Sequence, residues 1–379
     1  MSYGSYEDEI RLFNLNKTGD IDTSLVMQDG FFYIANDESK KIMQLTSYGD
    51  LVGVIYNKDT NPVPSFVDAS AFETIPSGVN LVEKETSTQM AVEYSFNDLG
   101  KIAVDRNKKV YAVDVLPQER FEVDGTNGVI LREVVLRINA DGTFDDYLGQ
   151  QGAGGTPFPY IKNLYTTKNN ELVIISMVTN GYIVYWYSET GMLLYTIPIS
   201  LDAVPKIATD ETTELFVSLH KIVPSYDQQL LYLKVDYHVS EIDASSKVQS
   251  GIAFERSLLY PLDIQTGMYG EPLVIPAYEE VVTDGYSKNT YLISYEFMGV
   301  TQSGWFFFTI ADEKGYSIMV VQPNGQKILR RHLDVNHEEV LYQNFNLSYN
   351  GIISALLANE KEVEVVWWRT DSVIDNLIQ

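Results

Sequence analysis

The sequence contains no cysteine, which excludes disulfides, thiolate metal sites and cysteine nucleophiles. It has only four histidines, His220, His238, His332 and His337, a poor basis for a histidine-rich zinc site. Basic residues are scarce: 27 Lys and Arg stand against 52 Asp and Glu, a formal charge of −25. Nucleic-acid binding takes much of its affinity from basic groups that neutralise phosphates, so no nucleic-acid partner is expected. Polybasic attachment to an anionic membrane surface is disfavoured for the same reason. No run approaches the ~20 apolar residues that a membrane-crossing helix needs, so no transmembrane segment is expected. A basic stretch followed by an apolar one, the mark of a secretory signal, is also missing at the start. Residues 2–8 are instead small, polar and acidic. Such a start fits an intact cytoplasmic protein, or an exported or membrane-anchored domain whose signal was removed. The lack of cysteine beside 26 tyrosines favours export.

What the sequence does have is a repeat. A length of 379 residues could hold two average domains, but closed all-β architectures of this size run as one unit. Six times an apolar strand meets a short polar turn and then a strongly apolar strand. The copies turn at 28–30, 105–108, 167–170, 210–212, 302–304 and 349–351. Their first strands cover 23–27, 101–104, 163–165, 206–208, 297–300 and 346–348. Asp, Asn and Gly in these turns supply tight hairpin geometry. After each copy but the last, an alternating strand runs into a turn ending at Gly49, Gly142, Gly191, Gly267 or Gly325, with another strand beyond. Each pair of signatures makes a four-stranded antiparallel meander, and a meander repeated at ~40–50 residues is a propeller blade.

The sixth copy lacks its Gly-turn strand, while an orphan strand at residues 9–15 precedes the first copy. The expected fold is therefore all-β: a closed six-bladed β-propeller of four-stranded antiparallel blades, its N-terminal strand completing the last. Closure removes open sheet edges. The blades are expected at 23–56, 96–150, 160–200, 204–277, 290–334, and 343–370 with 8–15. Insertions fall at 57–95, 116–132, 221–256 and 268–290, long enough to be functional or mobile loops.

The segments Gly100-Lys101-Ile102-Ala103-Val104-Asp105, Val110-Tyr111-Ala112-Val113-Asp114 and Val135-Leu136-Arg137-Ile138-Asn139-Ala140-Asp141-Gly142 carry a resemblance. They resemble the NHL and related six-bladed propeller families, over residues 100–148 and 23–55. The chain also resembles propeller lipoproteins of spirochaetes, without their signal and lipidated cysteine. This resemblance implies the fold and an exported or membrane-anchored location, but no reaction.

Asp105 and Asp210 end expected inner strands, where a carboxylate faces the channel to meet calcium or substrate, or else bonds its own turn. The run 139–146 lacks the oxygen spacing of a calcium loop. The glycine-rich run 149–155 has no Lys-Ser/Thr and no following helix, so it reads as a connection. No nucleophile elbow supports Ser-His-Asp catalysis. Tyrosines in the inserts, Tyr226, Tyr269, Tyr278 and Tyr286, are candidate binding residues, since Tyr gives large contact area and a polar tip. The expectation is a non-enzymatic binding propeller that displays long loops to a protein or cell-envelope partner. The alternative is a propeller hydrolase or lyase, its site at the central channel and calcium or another metal its cofactor.

Overall fold

The computed structural model describes residues 1–14, 21–67, 89–125, 128–210, 213–242, 249–284 and 287–370. Among them there is no α-helix, and strands gather into six sheets around a central axis. The first blade holds β1 (Ser24–Gln28), β2 (Phe31–Asn36), β3 (Lys41–Thr46) and β4 (Leu51–Tyr56), with β5 (Met90–Glu93) parallel to β4. The second holds β6 (Ile102–Val104), β7 (Val110–Val115), β10 (Glu133–Ile138), β11 (Phe144–Gly149) and β12 (Gly152–Ala153). A small hairpin, β8 (Glu122–Val123) with β9 (Ile130–Leu131), interrupts it. The third blade is β13 (Tyr160–Thr166), β14 (Leu172–Val178), β15 (Gly181–Tyr187) and β16 (Leu193–Ser200).

Blade four has the longest strands: β17 (Leu215–Pro224), β18 (Leu230–Ile242), β19 (Gln249–Asp263) and the short β20 (Leu273–Ile275). A separate hairpin follows, β21 (Tyr278–Asp284) with β22 (Ser287–Ile293). Blade five is β23 (Glu296–Val300), β24 (Phe306–Asp312), β25 (Gly315–Val321) and β26 (Ile328–Asp334). Blade six is β27 (Tyr342–Leu347), β28 (Ile352–Ala358) and β29 (Val363–Arg369). The glycines expected in the outer turns sit there with φ between +69° and +90°, a region that side chains with Cβ avoid. At Gly191 a Cβ would also strike the Arg137 guanidinium at 2.7 Å.

The innermost strands form a ring: β1 lies against β6 and β27, β6 against β13, β17 against β23, and β23 against β27. Side-chain amides tie the seam, Leu25 N donating to Asn344 Oδ1 (3.0 Å) and Met27 N to Asn346 Oδ1 (3.2 Å). Alternate side chains of each blade fill the wedge to the next, as Tyr33, Ala35 and Ile42 do against Ile102, Val104 and Ala112. This is the two-residue period of a pleated sheet buried on both faces.

Two expectations change. Residues 9–15 were expected as the outer strand of blade six, yet Ile10 makes only one parallel bridge, to Tyr3, and residue 15 lies outside the described residues. The backbone of Arg11 is occupied by the Asn36 amide, with N to Oδ1 at 3.0 Å and Nδ2 to O at 2.7 Å, so it cannot join a ladder. The N-terminal segment still latches the last blade, through the Val363 N–H donating to the Met1 carbonyl (2.9 Å). Ile10 and Leu12, fully buried, fill the wedge between Leu25 and Ile34 of blade one and Leu356 and Val363 of blade six. The second change is in blade four. Residues 206–208 are not a strand, and the innermost strand is Leu215–Pro224. The three-residue apolar run at 206–208 competes with a ten-residue strand that pairs along most of β18, and the longer ladder wins.

Candidate functional site

All six innermost strands line a central cavity of about 230 Å³. The lining includes Leu25, Met27, Asn163, Tyr165, Asn344 and Asn346, and among the described residues its only charged side chains are Lys101 and Lys221. Among the described residues no carboxylate lines it, in a chain of charge −25. Among the described residues no group of three or more His, Asp or Glu side chains could hold a metal ion.

Lys221 owes its position to a feature repeated in three consecutive blades. The ladder slips by one residue between Ile161 and Asn163 in β13, between Leu219 and Lys221 in β17, and between Phe297 and Gly299 in β23. Lys162, His220 and Met298 are therefore the extra residues of three β-bulges. A bulge frees its extra residue from the ladder and re-aims the side chains around it. The freed carbonyls become acceptors for the preceding blade. Lys162 Nζ reaches the His220 carbonyl at 3.5 Å, and Lys221 Nζ donates to the Met298 carbonyl at 2.9 Å. Lys101, at the start of β6, leans the same way, its Nζ 3.5 Å from the Tyr160 hydroxyl and also 3.5 Å from Asp22. Lys221 is walled in by protein and keeps its exposure only towards the cavities it lines. Burial pushes its ammonium down to about 8, with the field of Glu296 opposing and that of Lys162 assisting.

The opposite mouth is closed by aromatics. Tyr226, after β17, and Tyr349, after β27, stack with centroids 4.3 Å apart. The Tyr226 carbonyl accepts from Lys168 N (2.8 Å) and the Tyr349 carbonyl from Gln302 N (2.7 Å). Tyr349 donates its hydroxyl to Asp29 Oδ1 in the first blade, at 2.7 Å. Of the tyrosines expected to bind, Tyr226 is thus a buried part of the channel floor.

Beside the channel, a cleft of about 650 Å³ runs between blade four and the end of β22, lined by His220, Lys221, Lys234, Asp236, Phe254 and Leu292 among others. Its floor is a buried ion pair, Lys234 Nζ to Asp236 Oδ2 at 2.6 Å. His220 Nε2 lies 3.0 Å from the same oxygen, and Ser294 donates to it at 2.7 Å. Ser257 donates to the other oxygen, Oδ1. Burial alone would raise the Asp236 carboxyl. The His220 bond, the Lys234 charge and the Lys234 and Ser257 bonds outweigh it and hold the carboxyl well below the usual range. Each donor here converges on Asp236. No imidazole is paired with a serine in this cluster, the arrangement that nucleophilic serine chemistry needs.

The remaining expected residues are elsewhere. Asp105, buried, accepts from Asn107 N (2.8 Å), Lys109 N (2.9 Å) and the Tyr111 hydroxyl (3.2 Å). Asp210 is exposed and sits in no strand, so it is not a channel residue. Tyr269 packs edge-on against Tyr260, and Tyr278 against Tyr295. Tyr286 lies outside the described residues. The motif residues of the second blade are structural too. Asp114 accepts from the backbone N–H groups of Asn97, Asp98 and Val115. Arg137 pairs with Asp146 through Nε (2.5 Å) and Nη2 (2.6 Å). Sequence reasoning missed Lys162, His220 and Lys221; the signal was Leu219-His220-Lys221-Ile222 echoing Ile161-Lys162-Asn163-Leu164.

No family model matches the chain, and no curated protein does. Solved structures are similar to it. One is a polysaccharide lyase, the PL25 ulvan lyase, at 11% identity, covering 91% of this chain and 79% of that one, TM-score 0.40. Another is regucalcin of Agrobacterium tumefaciens, described as calcium-binding, at 10% identity, 99% and 90% coverage, TM-score 0.39. A third is the β-propeller domain of the Trilobed protease of Pyrococcus furiosus, at 8% identity, 92% and 96% coverage, TM-score 0.41. Identities this low say nothing of activity, because propellers host many unrelated functions. The six-bladed propeller rests on the strand topology.

Proposed function

We propose that the chain is a non-enzymatic binding propeller whose protruding hairpins engage a protein or cell-envelope partner. The observation that carries this reading is the exposed apolar surface of those hairpins. Strands of 13 and 15 residues in blade four, at ~3.3 Å per residue, outreach the 3 to 8 residues usual in the other blades. They carry Ile252 at 55% exposure, and the β21–β22 hairpin carries Val281 at 56%, Tyr291 at 52% and Leu292 at 47%. Isolated apolar residues on a surface need no account, but several on two neighbouring projections mark an interaction site. Glu241, Glu255, Glu279 and Glu280 are exposed on the same hairpins and favour a basic partner. Attachment to an exported partner fits this surface, and localisation outside the cytoplasm is part of the proposal.

A photo-crosslinking side chain placed at position 291 tests the reading, with position 48, at 92% exposure on a remote turn, as control. Adducts from 291 and none from 48 support it. Equal labelling from both, or none from either in the native host extract, overturns it.

A further inference from the structure

We propose that the channel binds a small oxyanion, a carboxylate or phosphate group, held by the ammonium groups of Lys221 and Lys101, which line it, with Lys162 behind them at the His220 carbonyl. This goes beyond the partner-binding reading and stands or falls separately from it. Acidic residues outnumber basic ones almost two to one, yet among the described residues the channel is lined by lysine and neutral side chains alone. Blades two, three and four each contribute one lysine: Lys101 just before β6, Lys162 as the extra residue of the β13 bulge, and Lys221 directly after the β17 bulge.

Each of these lysines is only partly satisfied. An ammonium has three protons, and Lys221 has one acceptor among the described residues, the neutral Met298 carbonyl. Lys162 has two neutral acceptors, the Tyr182 hydroxyl at 3.1 Å and the His220 carbonyl. Carboxylates are present only at the margin. Asp22 stands 3.5 Å from Lys101 with its side chain 46% exposed, and Glu296 on β23 is exposed. A desolvated ammonium with no carboxylate in contact is a costly element to retain, and an oxyanion supplies the missing charge through charge-assisted hydrogen bonds. The cavity volume suits a small molecule rather than a polymer.

The test is calorimetric titration of the full chain with citrate and, separately, with inorganic phosphate, at neutral pH and an ionic strength of about 10 mM, where charge interactions are little screened. Saturable one-to-one binding is expected for at least one of the two, and which one binds identifies the group as carboxylate or phosphoryl. Lys221→Met and Lys101→Gln should each weaken it roughly tenfold, about 1.4 kcal/mol. Lys58→Gln, an exposed lysine paired with Glu93 far along the chain, should leave it unchanged. Lys101 is half-buried, so its variant keeps the test open should Lys221→Met fail to fold. No saturable binding of either anion overturns the proposal, as does equal weakening by Lys58→Gln, which would show only a general charge effect.

Discussion

Tyr226 and Tyr349 stack face to face across the channel floor, with ring planes 5° from parallel. One ring comes from blade four and the other from blade six, and the Tyr349 hydroxyl reaches Asp29 in blade one. The pair therefore ties three blades and closes the end of the channel opposite the lysines. Tyr349→Phe keeps the stack but removes one donor from the exposed Asp29 carboxylate, which retains Gln28 Nε2 at 3.0 Å, at a cost of about 1 kcal/mol. Tyr349→Ala removes the ring as well and should cost about 3 kcal/mol or more. Urea unfolding of the two variants checks the order, and equal losses would refute a role for the stack.

The N-terminal latch makes a second prediction. Ile10 is fully buried between the first and last blades, so Ile10→Ala should destabilise by about 2–5 kcal/mol, the range for buried large-to-small changes. Because the lost contacts join the two blades at the seam, limited proteolysis near the N-terminus should speed up with it. The same loss of stability without faster N-terminal cleavage would contradict the latch.

The blades were legible because each local signal agreed with the next: hairpin turns, alternating strands and left-handed glycines at the outer turns. Blade four was misread at its inner strand because its ladder is long and slips by a residue at His220. A period-two pattern cannot show such a slip in advance. The same slip hid the site. Lys221 looks like an ordinary polar position until the bulge at His220 sets it on the channel wall. Asp105 and Asp114 showed the opposite failing. They stood out as motif residues, and both are consumed by backbone N–H groups.

The Lys234–Asp236 pair predicts a large effect with a definite sign. Both side chains are 1% exposed, so Asp236→Asn leaves a buried ammonium unpaired and should cost about 3–5 kcal/mol. The double variant Lys234→Met with Asp236→Leu should recover much of that loss, since apolar replacement of a buried pair is often neutral. The folded-state carboxyl lies below its unfolded value. Its contribution is thus complete above the unfolded pKa, near 3.8, and is lost as the pH falls through the folded one. Acid titration of stability should show this loss in the wild type and not in Asp236→Asn.

Glu133 predicts the opposite pH dependence. Burial pushes its carboxyl up to about 7 from 4.5, although Oε2 accepts from Ile161 N at 2.5 Å and Arg132 and Lys101 attract the charge. Between those values the folded chain binds more protons than the unfolded one, so stability falls as the pH rises. At about 1.4 kcal/mol per unit, the full change amounts to about 3 kcal/mol. Glu133→Gln keeps an oxygen for the Ile161 N–H and carries no charge. It should therefore melt close to the wild type at pH 4 and well above it at pH 8. Thermal melts at the two pH values decide the matter. A constant difference between the two proteins would mean that the carboxyl is ionised throughout and that the strand β10 entry tolerates its charge.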